Sequence, residues 1–482
     1  MQTRVYQLHE IGQPVFTNPP IDIRKNAQSP IFTYSGIVLA RDLIEKLGIT
    51  QLIDANLPLL KLYSPYHESD HVLNLVYNFL CGGETLNDLE RLQTDVGFLK
   101  VIGAQSIPDP TTAGDFLVRF HEAAIEVFQH VLNAAQDRAF AALDEKRKEI
   151  ATIESDSTIL EVFGRKKEGA DYAYDRTWSY NGQFFTLAET GDILFSDLRS
   201  GNTYSSVGTK EVLPKIIERL QKHFRRLRYR ADSAFYDKEI VWACEKGNVE
   251  FFITADQTAP LMGQVTKIPE EEWKRFKNPG KVGKKDGKKR KKRNDVKREI
   301  SIRRKPDTRL KGESQVASFE YTPVGWKKPY RFVVKRTEIL DKDNQQLYLD
   351  DGLCKYDYYV IVTNSSESNA EAMRIGQKRG NQENLIKDFK YGLGLSHVPT
   401  GFLNANRAYF KIAALAWNIK TWMLNLLKAG NGAVVRFKRF LYKWIYQGAA
   451  VSSTGRNGVV LRIDEGEYFY RFTRALSEVA NL

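Results

Sequence analysis

The sequence lacks the features that mark membrane proteins, secreted proteins and disulfide-rich domains. In its 482 residues there is no continuous apolar run of about 18 residues, so we expect no membrane-spanning helix. The first residues do not follow a signal-peptide pattern. The three cysteines, Cys81, Cys244 and Cys354, are far apart and odd in number, which indicates neither a disulfide framework nor a zinc cluster. We therefore predict a cytoplasmic protein in a reducing environment, with no membrane partner.

Acidic residues are scarce in one segment, where most of the net positive charge lies. The chain carries a net charge of +13, and residues 281–298 hold eleven Lys or Arg against two Asp, which leaves +4 for all other residues. The segment has no aromatic residue for base stacking and no apolar period that would anchor a helix. It predicts a mobile loop for a polyanionic partner. Its central run is Lys288, Lys289, Arg290, Lys291, Lys292 and Arg293.

The first third of the chain has a helical pattern after an irregular start. Residues 1–30 contain several prolines and little periodicity, which predicts an irregular arm. In residues 31–145, apolar residues recur at intervals of three and four, and glycines or a Pro/Thr start bound the segments. Short helices separated by tight turns suit a helix-turn-helix-like reader of DNA, although most small helical domains are not one. We predict a helical DNA-binding region here.

One segment, His67-Glu-Ser-Asp-His71, matches the zinc-protease pattern His-Glu-x-x-His. That motif requires both histidines inside a helix and a third ligand downstream. Pro65 stands two residues before it, and Ser69 or Asp70 is placed to cap the apolar helix that follows. We therefore predict a helix start here rather than a zinc site.

From about residue 146 the pattern changes to strands, in the order three strands, helix, strand, helix, strand. Asp156 lies in the first strand, and Asp232 ends the fourth. Over residues 146–256 this is the order expected of a ribonuclease H-like α/β fold, which brings the first and fourth strands side by side. Asp156 and Asp232 are then able to share a metal site. Glu154, on the same strand face as Asp156, and Asp256, at another strand end, are rival candidates.

The rest of the chain divides into three parts. Residues 257–367 contain the basic segment and further strand-like stretches, which predicts a β-rich insertion that interrupts the fold. Residues 368–430 complete the core with helices, the first of them capped by Asn369. Residues 431–482 form a tail with a hairpin at an Asn457-Gly458 turn.

The stretch from Arg379 to Lys390 places charged groups at spacings of four and seven residues. In a single helix, Arg379, Glu383 and Lys390 project within about 40° of each other. An acid between two bases suits a site that binds a metal and a phosphate backbone together; a surface helix with internal ion pairs is the alternative. In a second arrangement, Gly380 ends one helix and Asn381 caps the next, which has Glu383 in its first turn. Arg379 then leaves the shared face but stays near Glu383.

Three motifs taken together resemble those of a known family. They are Glu-Ser-Asp156-Ser-Thr, Tyr-Arg-Ala-Asp232-Ser-Ala-Phe235 and Arg379-x3-Glu383-x6-Lys390. They resemble the acidic motifs of DDE transposases of bacterial insertion sequences. The likeness is to the group with a Tyr-x2-Arg-x3-Glu-x6-Lys signature, and within it to the IS-thirteen-eighty group, from about residue 31 to the end. One departure is that the signature tyrosine falls on Gly376. Further positions that add to the likeness are Gly164, Lys167, Gly169, Ala170 and the run from Ala414 to Asn418.

The resemblance implies a ribonuclease H-like catalytic core with a β-rich insertion before the glutamate, and cut-and-paste DNA transposition with Mg²⁺, for which Mn²⁺ is able to substitute. Asp156 would bridge two metal ions, with Asp232 on one and Glu383 on the other. Arg379, Lys387 and Lys390 would hold flanking phosphates of double-stranded DNA. The resemblance also implies binding of terminal inverted repeats and target DNA, a homodimer on paired ends, and association with the nucleoid.

Two other functions remain open at this point. A catalytically silent DNA-binding relative fits the missing tyrosine at Gly376, although the set of three acids is complete. A ribonuclease H-like nuclease without strand transfer fits the core, but the helical N-terminal region and the large insertion disfavour it.

Deletion of residues Lys284 to Arg293 tests the predicted polyanion loop. It removes eight basic residues and one acid, and each lost phosphate contact flattens the log–log salt dependence of DNA binding by about 0.9. We expect lower affinity and a slope smaller by several units in titrations at increasing salt. The preference for terminal-repeat over random DNA should remain, since backbone contacts position and base contacts specify. An unchanged slope would show that the segment does not touch DNA, and a lost preference that it reads bases.

Overall fold

The computed structural model describes residues 31–60, 66–277, 310–340, 356–426, 435–454 and 458–481. The predicted arm at 1–30 and the predicted basic loop at 281–298 lie outside these residues. Among the described helices, none combines the length and the hydropathy that crossing a bilayer requires.

The chain before residue 145 is helical. Its elements are β1 (Ile31–Phe32), α1 (Ile37–Lys46), α2 (Ile49–Asn56), α3 (Glu68–Leu80), α4 (Leu89–Thr94), α5 (Val96–Ile102), α6 (Pro110–Val118) and α7 (Glu122–Ala141). The helices begin and end at the signals in the sequence. Gly48, with φ of +59°, separates α1 from α2 because a left-handed residue favours glycine. Asp109 starts α6, since its carboxylate accepts the backbone N–H of Thr112 at 2.8 Å.

The middle of the chain alternates strands and helices. Its elements are β2 (Ile150–Glu161), β3 (Asp171–Tyr172), β4 (Trp178–Leu187), β5 (Ile193–Ser200), α8 (Thr209–Leu220), β6 (Arg226–Ala231), α9 (Lys238–Lys246), β7 (Glu250–Thr254), α10 (Ala259–Val265), β8 (Lys274–Arg275), β9 (Leu310–Tyr321), β10 (Tyr330–Leu340) and β11 (Tyr356–Thr363). The predicted strands and helices of residues 146–256 are all present, and the predicted strands β10 and β11 follow. The sequence analysis did not predict α10 or β9.

The last part of the chain is mainly helical. Its elements are α11 (Asn369–Gln377), α12 (Gly380–Gly392), α13 (Leu403–Leu426), α14 (Phe437–Phe440), β12 (Ala449–Thr454), β13 (Gly458–Arg462) and α15 (Glu467–Ala480), with a π-helical turn at Leu441–Ile445. The prediction that Asn369 caps α11 is wrong. Ser368 takes that position, and its hydroxyl accepts the N–H of Glu371.

In the described residues, ten strands form one mixed sheet. From one edge to the other the order is β3, β4, β2, β6, β7, β11, β10, β9 and β8, with β5 also paired to β4. Strands β2, β4 and β5 are antiparallel neighbours, whereas β6 runs parallel to β2 and β7 parallel to β6. Helices α8 and α9 supply the crossovers that parallel pairing requires. The first and fourth strands of the predicted core therefore lie side by side, as expected.

The strands of the insertion extend this sheet. Strand β11 pairs antiparallel with β7, with Ile361 opposite Thr254, and β10 and β9 continue outward. Without them, β7 would expose a row of unpaired backbone groups. The strands of residues 257–367 therefore belong to the same sheet as the strands of residues 146–256.

The two faces of the sheet are covered by different helices, and β2 shows how. Ala151 and Ile153 pack with α8 and α9, whereas Leu160 packs with α12 and α13. Because side chains alternate along a strand, Asp156 shares the face of Leu160. The candidate site therefore lies on the α12 side of the sheet.

Helix α13 is buried along nearly its whole length and is held by polar contacts. Lys411 Nζ donates to Gln129 Oε1 at 2.8 Å and to the Ser196 carbonyl at 2.7 Å. Trp422 Nε1 donates to Asp192 Oδ1 at 2.6 Å. These contacts connect α13 to α7 and to the β4–β5 hairpin, so the N-terminal helices and the sheet pack around one central helix.

The two ends of the described chain meet. Strand β1 pairs with β12, and β12 pairs antiparallel with β13 as the predicted hairpin requires. Asn457 of the predicted turn lies outside the described residues. Helix α15 packs on α1 through Phe472, Ala475 and Val479. The sequence analysis missed α15, although these apolar residues recur at intervals of three and four.

Candidate active site

Asp156 and Asp232 lie side by side on neighbouring parallel strands. The register pairs Glu154 with Arg230, so each acid stands two residues further along and on the same face of the sheet. Asp232 follows the last residue of β6, and its carboxylate accepts the N–H of Ala234 at 3.1 Å. The parallel pairing of β2 with β6 therefore sets these two carboxylates next to each other.

The guanidinium of Arg379 lies between the two acids. Its Nη2 is 3.3 Å from Asp156 Oδ2, and its Nη1 is 3.6 Å from Asp232 Oδ2. The side chain is 13% exposed, and its Nε has no hydrogen-bond partner among the described residues. The structure thus brings three of the predicted site residues together as one cation between two anions.

Arg379 stands at the start of α12. The helical conformation is interrupted between α11, which ends at Gln377, and α12, which begins at Gly380. Residues Asn369 to Lys390 therefore do not form one continuous helix. The arrangement with a break near Gly380 is the one found, but its predicted cap, Asn381, is wrong. Arg379 is the N-cap, and its carbonyl accepts the N–H of Gln382 at 3.0 Å.

A cleft of about 310 Å³ lies beside Asp156. Asp156, Glu383, Lys387 and Lys390 all line it. Glu383 and Lys387 are exposed, whereas Lys390 is partly buried and its Nζ donates to the Ile159 carbonyl at 2.6 Å. Burial lowers the pKa of Lys390. Because an ammonium has three donors, this bond to β2 leaves Lys390 able to hold a further acceptor in the cleft.

The environment of Asp156 disfavours its negative charge. Burial raises the pKa of Asp156 to about 6, and the charges of Asp232 and Glu383 act in the same direction. Arg379 and the backbone N–H of Ser157 oppose this rise. Added positive charge beside Asp156 would relieve both the desolvation and the repulsion.

The donors at this site fit a divalent cation. All three acids supply hard carboxylate oxygens, which Mg²⁺ prefers. The raised pKa of Asp156 shows that its negative charge is destabilised, so that a bound cation would stabilise it. Within the described residues, no three acidic, histidine or cysteine side chains already form a group that holds an ion. Arg379 takes the space between Asp156 and Asp232 instead.

The rival candidate Glu154 is held in a buried ion pair. Its Oε1 accepts Arg230 Nε at 2.8 Å and Nη2 at 2.5 Å, and the two side chains are 2% and 6% exposed. Arg230 Nη1 also donates to the Ile375 carbonyl at 2.7 Å, which ties α11 to the sheet. Burial raises the pKa of Glu154, and Arg230 opposes this. The second rival, Asp256, is exposed beyond β7, and neither rival lines the cleft of Asp156.

The zinc-protease pattern forms a helix start. His67 is the N-cap of α3, in place of the predicted Ser69 or Asp70, and its N–H donates to Asp70 Oδ2 at 2.8 Å. His71 is buried and stacks on Phe116 with ring centroids 4.4 Å apart. Burial lowers the pKa of His71 to about 4. These contacts assign the motif to the helical core.

A side chain at Gly376, the position of the missing tyrosine, would make close contacts with β11. A Cβ on Gly376 would lie 3.2 Å from two side-chain carbons of Ile361, because α11 packs closely on β11 there. Tyr391, which is 55% exposed, lines the cleft instead, and its ring lies 5.3 Å from Lys390 Nζ. The sequence analysis missed Tyr391, although it directly follows the last residue of the signature.

Comparison with known proteins gives a family match over most of the chain. The family model described as "Transposase DDE domain group 1" matches residues 17–480. Among solved structures, the chain is similar to that of a piggyBac transposase in a synaptic complex with hairpin DNA. The two are 11% identical, the TM-score is 0.39, and the match covers 86% of this chain and 82% of that one. Among curated proteins, no relative matches.

Replacing Glu154 with Gln tests whether this acid is structural. Removing one partner of a buried ion pair leaves the other charge uncompensated, so we expect the free energy of unfolding to fall by about 3–5 kcal/mol in chemical denaturation. The double variant Glu154→Met/Arg230→Met should recover most of this loss, since both charges are then gone. Unchanged stability together with lost Mn²⁺ binding would identify Glu154 as a ligand instead.

Asp156→Asn tests the electrostatics of the site in the absence of metal. The folded-state pKa of about 6 lies above the ordinary value of 3.8, so ionisation of Asp156 costs stability as pH rises through 6 and costs nothing below about pH 4. At about 1.4 kcal/mol per pKa unit, the variant should gain up to about 3 kcal/mol over wild type between pH 4 and pH 7. Denaturation curves in chelator across this range measure the difference. A gap that is constant with pH, or that closes as pH rises, would contradict the assignment.

Proposed function

The chain belongs to the group 1 transposase DDE domain family, and on that premise we propose that it cuts and joins DNA with Asp156, Asp232 and Glu383. The observation that supports this most is the pair Asp156 and Asp232 on neighbouring strands with one guanidinium between them. Glu383 lines the same cleft as Asp156. The negative charges of Asp232 and Glu383 raise the pKa of Asp156. Acids whose pKa is shifted by neighbouring charges are typical of catalytic sites.

The proposed catalytic core is ribonuclease H-like. Three antiparallel strands followed by two parallel ones, with the fourth beside the first, support this. The seven helices α1 to α7 are the proposed DNA-binding region. The inserted strands β8 to β11 continue the sheet next to the site, which fits an insertion that contributes to the DNA surface.

Mg²⁺ is the proposed cofactor, with Mn²⁺ able to substitute. When bound, such an ion activates a water or a 3′-hydroxyl and stabilises the leaving oxygen. Asp156, Asp232 and Glu383 would hold it. Asp156 and Asp232 both lie beside Arg379, and Glu383 lines the cleft next to Asp156. Before that, Arg379 supplies the positive charge that the two strand-borne acids require.

The basic residues of α12 are the proposed phosphate contacts. Lys387 is exposed in the cleft, and Lys390 keeps donors free beyond its bond to the Ile159 carbonyl. Arg379 has two roles in this proposal: it pairs with acids in the absence of metal, and it holds a phosphate when substrate is present. Its planar guanidinium suits both carboxylate and phosphate.

Membership of the IS-thirteen-eighty group remains part of the proposal. The spacing of Arg379, Glu383 and Lys390 supports it, and Tyr391 is the residue proposed to replace the tyrosine missing at Gly376. The proposed reaction is cut-and-paste transposition on terminal inverted repeats by a homodimer, at the nucleoid. Light scattering of the protein on cleaved end DNA measures the dimer; a monomeric particle there would count against it.

Alanine replacement of each of the three acids tests the proposal. Asp156→Ala, Asp232→Ala and Glu383→Ala should each abolish Mg²⁺-dependent cleavage of a duplex that carries the DNA flanking the gene. Binding of that duplex should survive, since the acids do not attract phosphate. Asp256→Ala is the matched control, an acid just past the end of the neighbouring strand β7 that lies outside the cleft, and it should cleave normally. Full cleavage by any of the three variants would contradict the assignment.

A further inference from the structure

The C-terminal part of the chain contains a long stretch without acidic residues. From Phe389 to Ile463 there are eleven Lys and Arg and not one Asp or Glu. The overall charge balance hides this stretch, because acids elsewhere in the chain offset it. The stretch therefore has a net charge of +11 and no acidic residue of its own to neutralise it. Its cations either pair with groups elsewhere in the fold or face solvent.

Several of these cations have structural partners. Arg407 pairs with Asp197 at 2.7 Å and also with Glu122. Lys411 is buried with the hydrogen bonds described above, and the Nζ of Lys420, also buried, lies 3.5 Å from the centre of the Trp417 ring. These groups are part of the core around α13. They are therefore not available to a partner.

Among the described cations of this stretch, four lie exposed on the short helical segment 436–445, and Arg462 is exposed on β13. Its inner face is apolar and fully packed, and its outer face is basic. The buried residues are Phe437, Phe440, Leu441, Trp444 and Ile445. The exposed residues, which we name the basic face, are Arg436, Lys438, Arg439, Tyr442 and Lys443.

The basic face has little neutralisation. Within the described part of the chain, Lys438 is its one member in an ion pair with an acid, Glu84 at 3.2 Å, and both side chains there are largely exposed. Exposed pairs of this kind contribute only about 0–1 kcal/mol. Tyr442 is 70% exposed, and the Arg439 guanidinium lies 5.7 Å from its ring centre. Four positive charges and one exposed ring therefore share a surface a few residues wide.

The basic face is fixed to the helix that carries Glu383. The backbone N–H of Phe437 donates to Asp388 Oδ2 at 2.6 Å, and a Cβ on Gly392 would lie only 2.9 Å from Phe437. Asp388 is five residues after Glu383, which is about 7.5 Å along the helix axis. The segment thus packs against the C-terminal half of α12, while the N-terminal half adjoins Asp156 and Asp232.

We propose that the basic face is a second DNA-binding surface, which holds the phosphate backbone of a duplex whose reacting strand lies at the acid site. This inference rests on the proposed function. Charge complementarity selects a polyanion, and the rigid connection through α12 places it within reach of a duplex at the cleft. An anionic membrane surface is the less suitable partner, because Tyr442 is the only aromatic residue in the face and no aliphatic one accompanies it.

The test is a triple variant of the full-length protein that removes three positive charges, Arg436→Gln/Arg439→Gln/Lys443→Gln. The matched control is Lys215→Gln/Lys222→Gln/Lys246→Gln, three exposed lysines in or next to α8 and α9 on the opposite side of the sheet. The probe is a short random-sequence duplex, with binding measured by fluorescence anisotropy at increasing salt. The first variant should reduce the log–log slope by about 2 to 3, at about 0.9 per lost phosphate contact. The control should match wild type.

Further variants separate this inference from the proposed function. Arg436→Lys/Arg439→Lys keeps the charge and should keep the wild-type slope; a reduced slope there would mean that charge is not the cause, and would overturn the inference. An unchanged slope in the Gln variant, with wild-type cleavage intact, would overturn the second surface alone. A wild-type protein that binds phosphatidylglycerol vesicles but no duplex would overturn both.

Discussion

The parallel pairing of β2 with β6 is the constraint on which the site depends. It places Glu154 beside Arg230 and, two residues further, Asp156 beside Asp232. The first pair is of opposite sign and is buried as an ion pair. The second pair is of like sign, and burial raises the pKa of Asp156 to about 6. One register therefore places an ion pair and a pair of like charges on the same face of the sheet, and Arg379 supplies the positive charge that the like-charged pair lacks.

Helix α12 connects the acids to the rest of the molecule. Its first turn carries Arg379 as the N-cap, Lys390 near its end donates to β2, and Asp388 accepts the N–H of Phe437. The proposed metal site adjoins one half of α12, and the segment with the basic face packs on the other half, which fixes their separation.

Positive charge in this chain serves three separate purposes. Inside the fold, Arg230, Lys411 and Arg407 bind particular acceptors and stabilise particular packings. At the acid site, Arg379 offsets carboxylates that sit too close together. On the surface, the basic face presents cations with little neutralisation. Net charge alone does not separate these uses, since only burial and partners distinguish a structural cation from an available one.

Local signals in the sequence determined the order of strands and helices in residues 146–256, the start of α3 to within a few residues, and the position of Asp156 in one strand and of Asp232 at the end of another. These features depend on periodicity and capping, which act between near neighbours in the chain. Only the tertiary structure shows that Glu154 is paired with Arg230, 76 residues away, whereas Asp156 lies beside Arg379 and lines the cleft. It also decided that Arg379 faces two acids, that β11 pairs with β7, and that Tyr391 lines the cleft of Asp156. Each of these depends on groups brought together from distant parts of the chain, and pattern within one sequence does not record such distances.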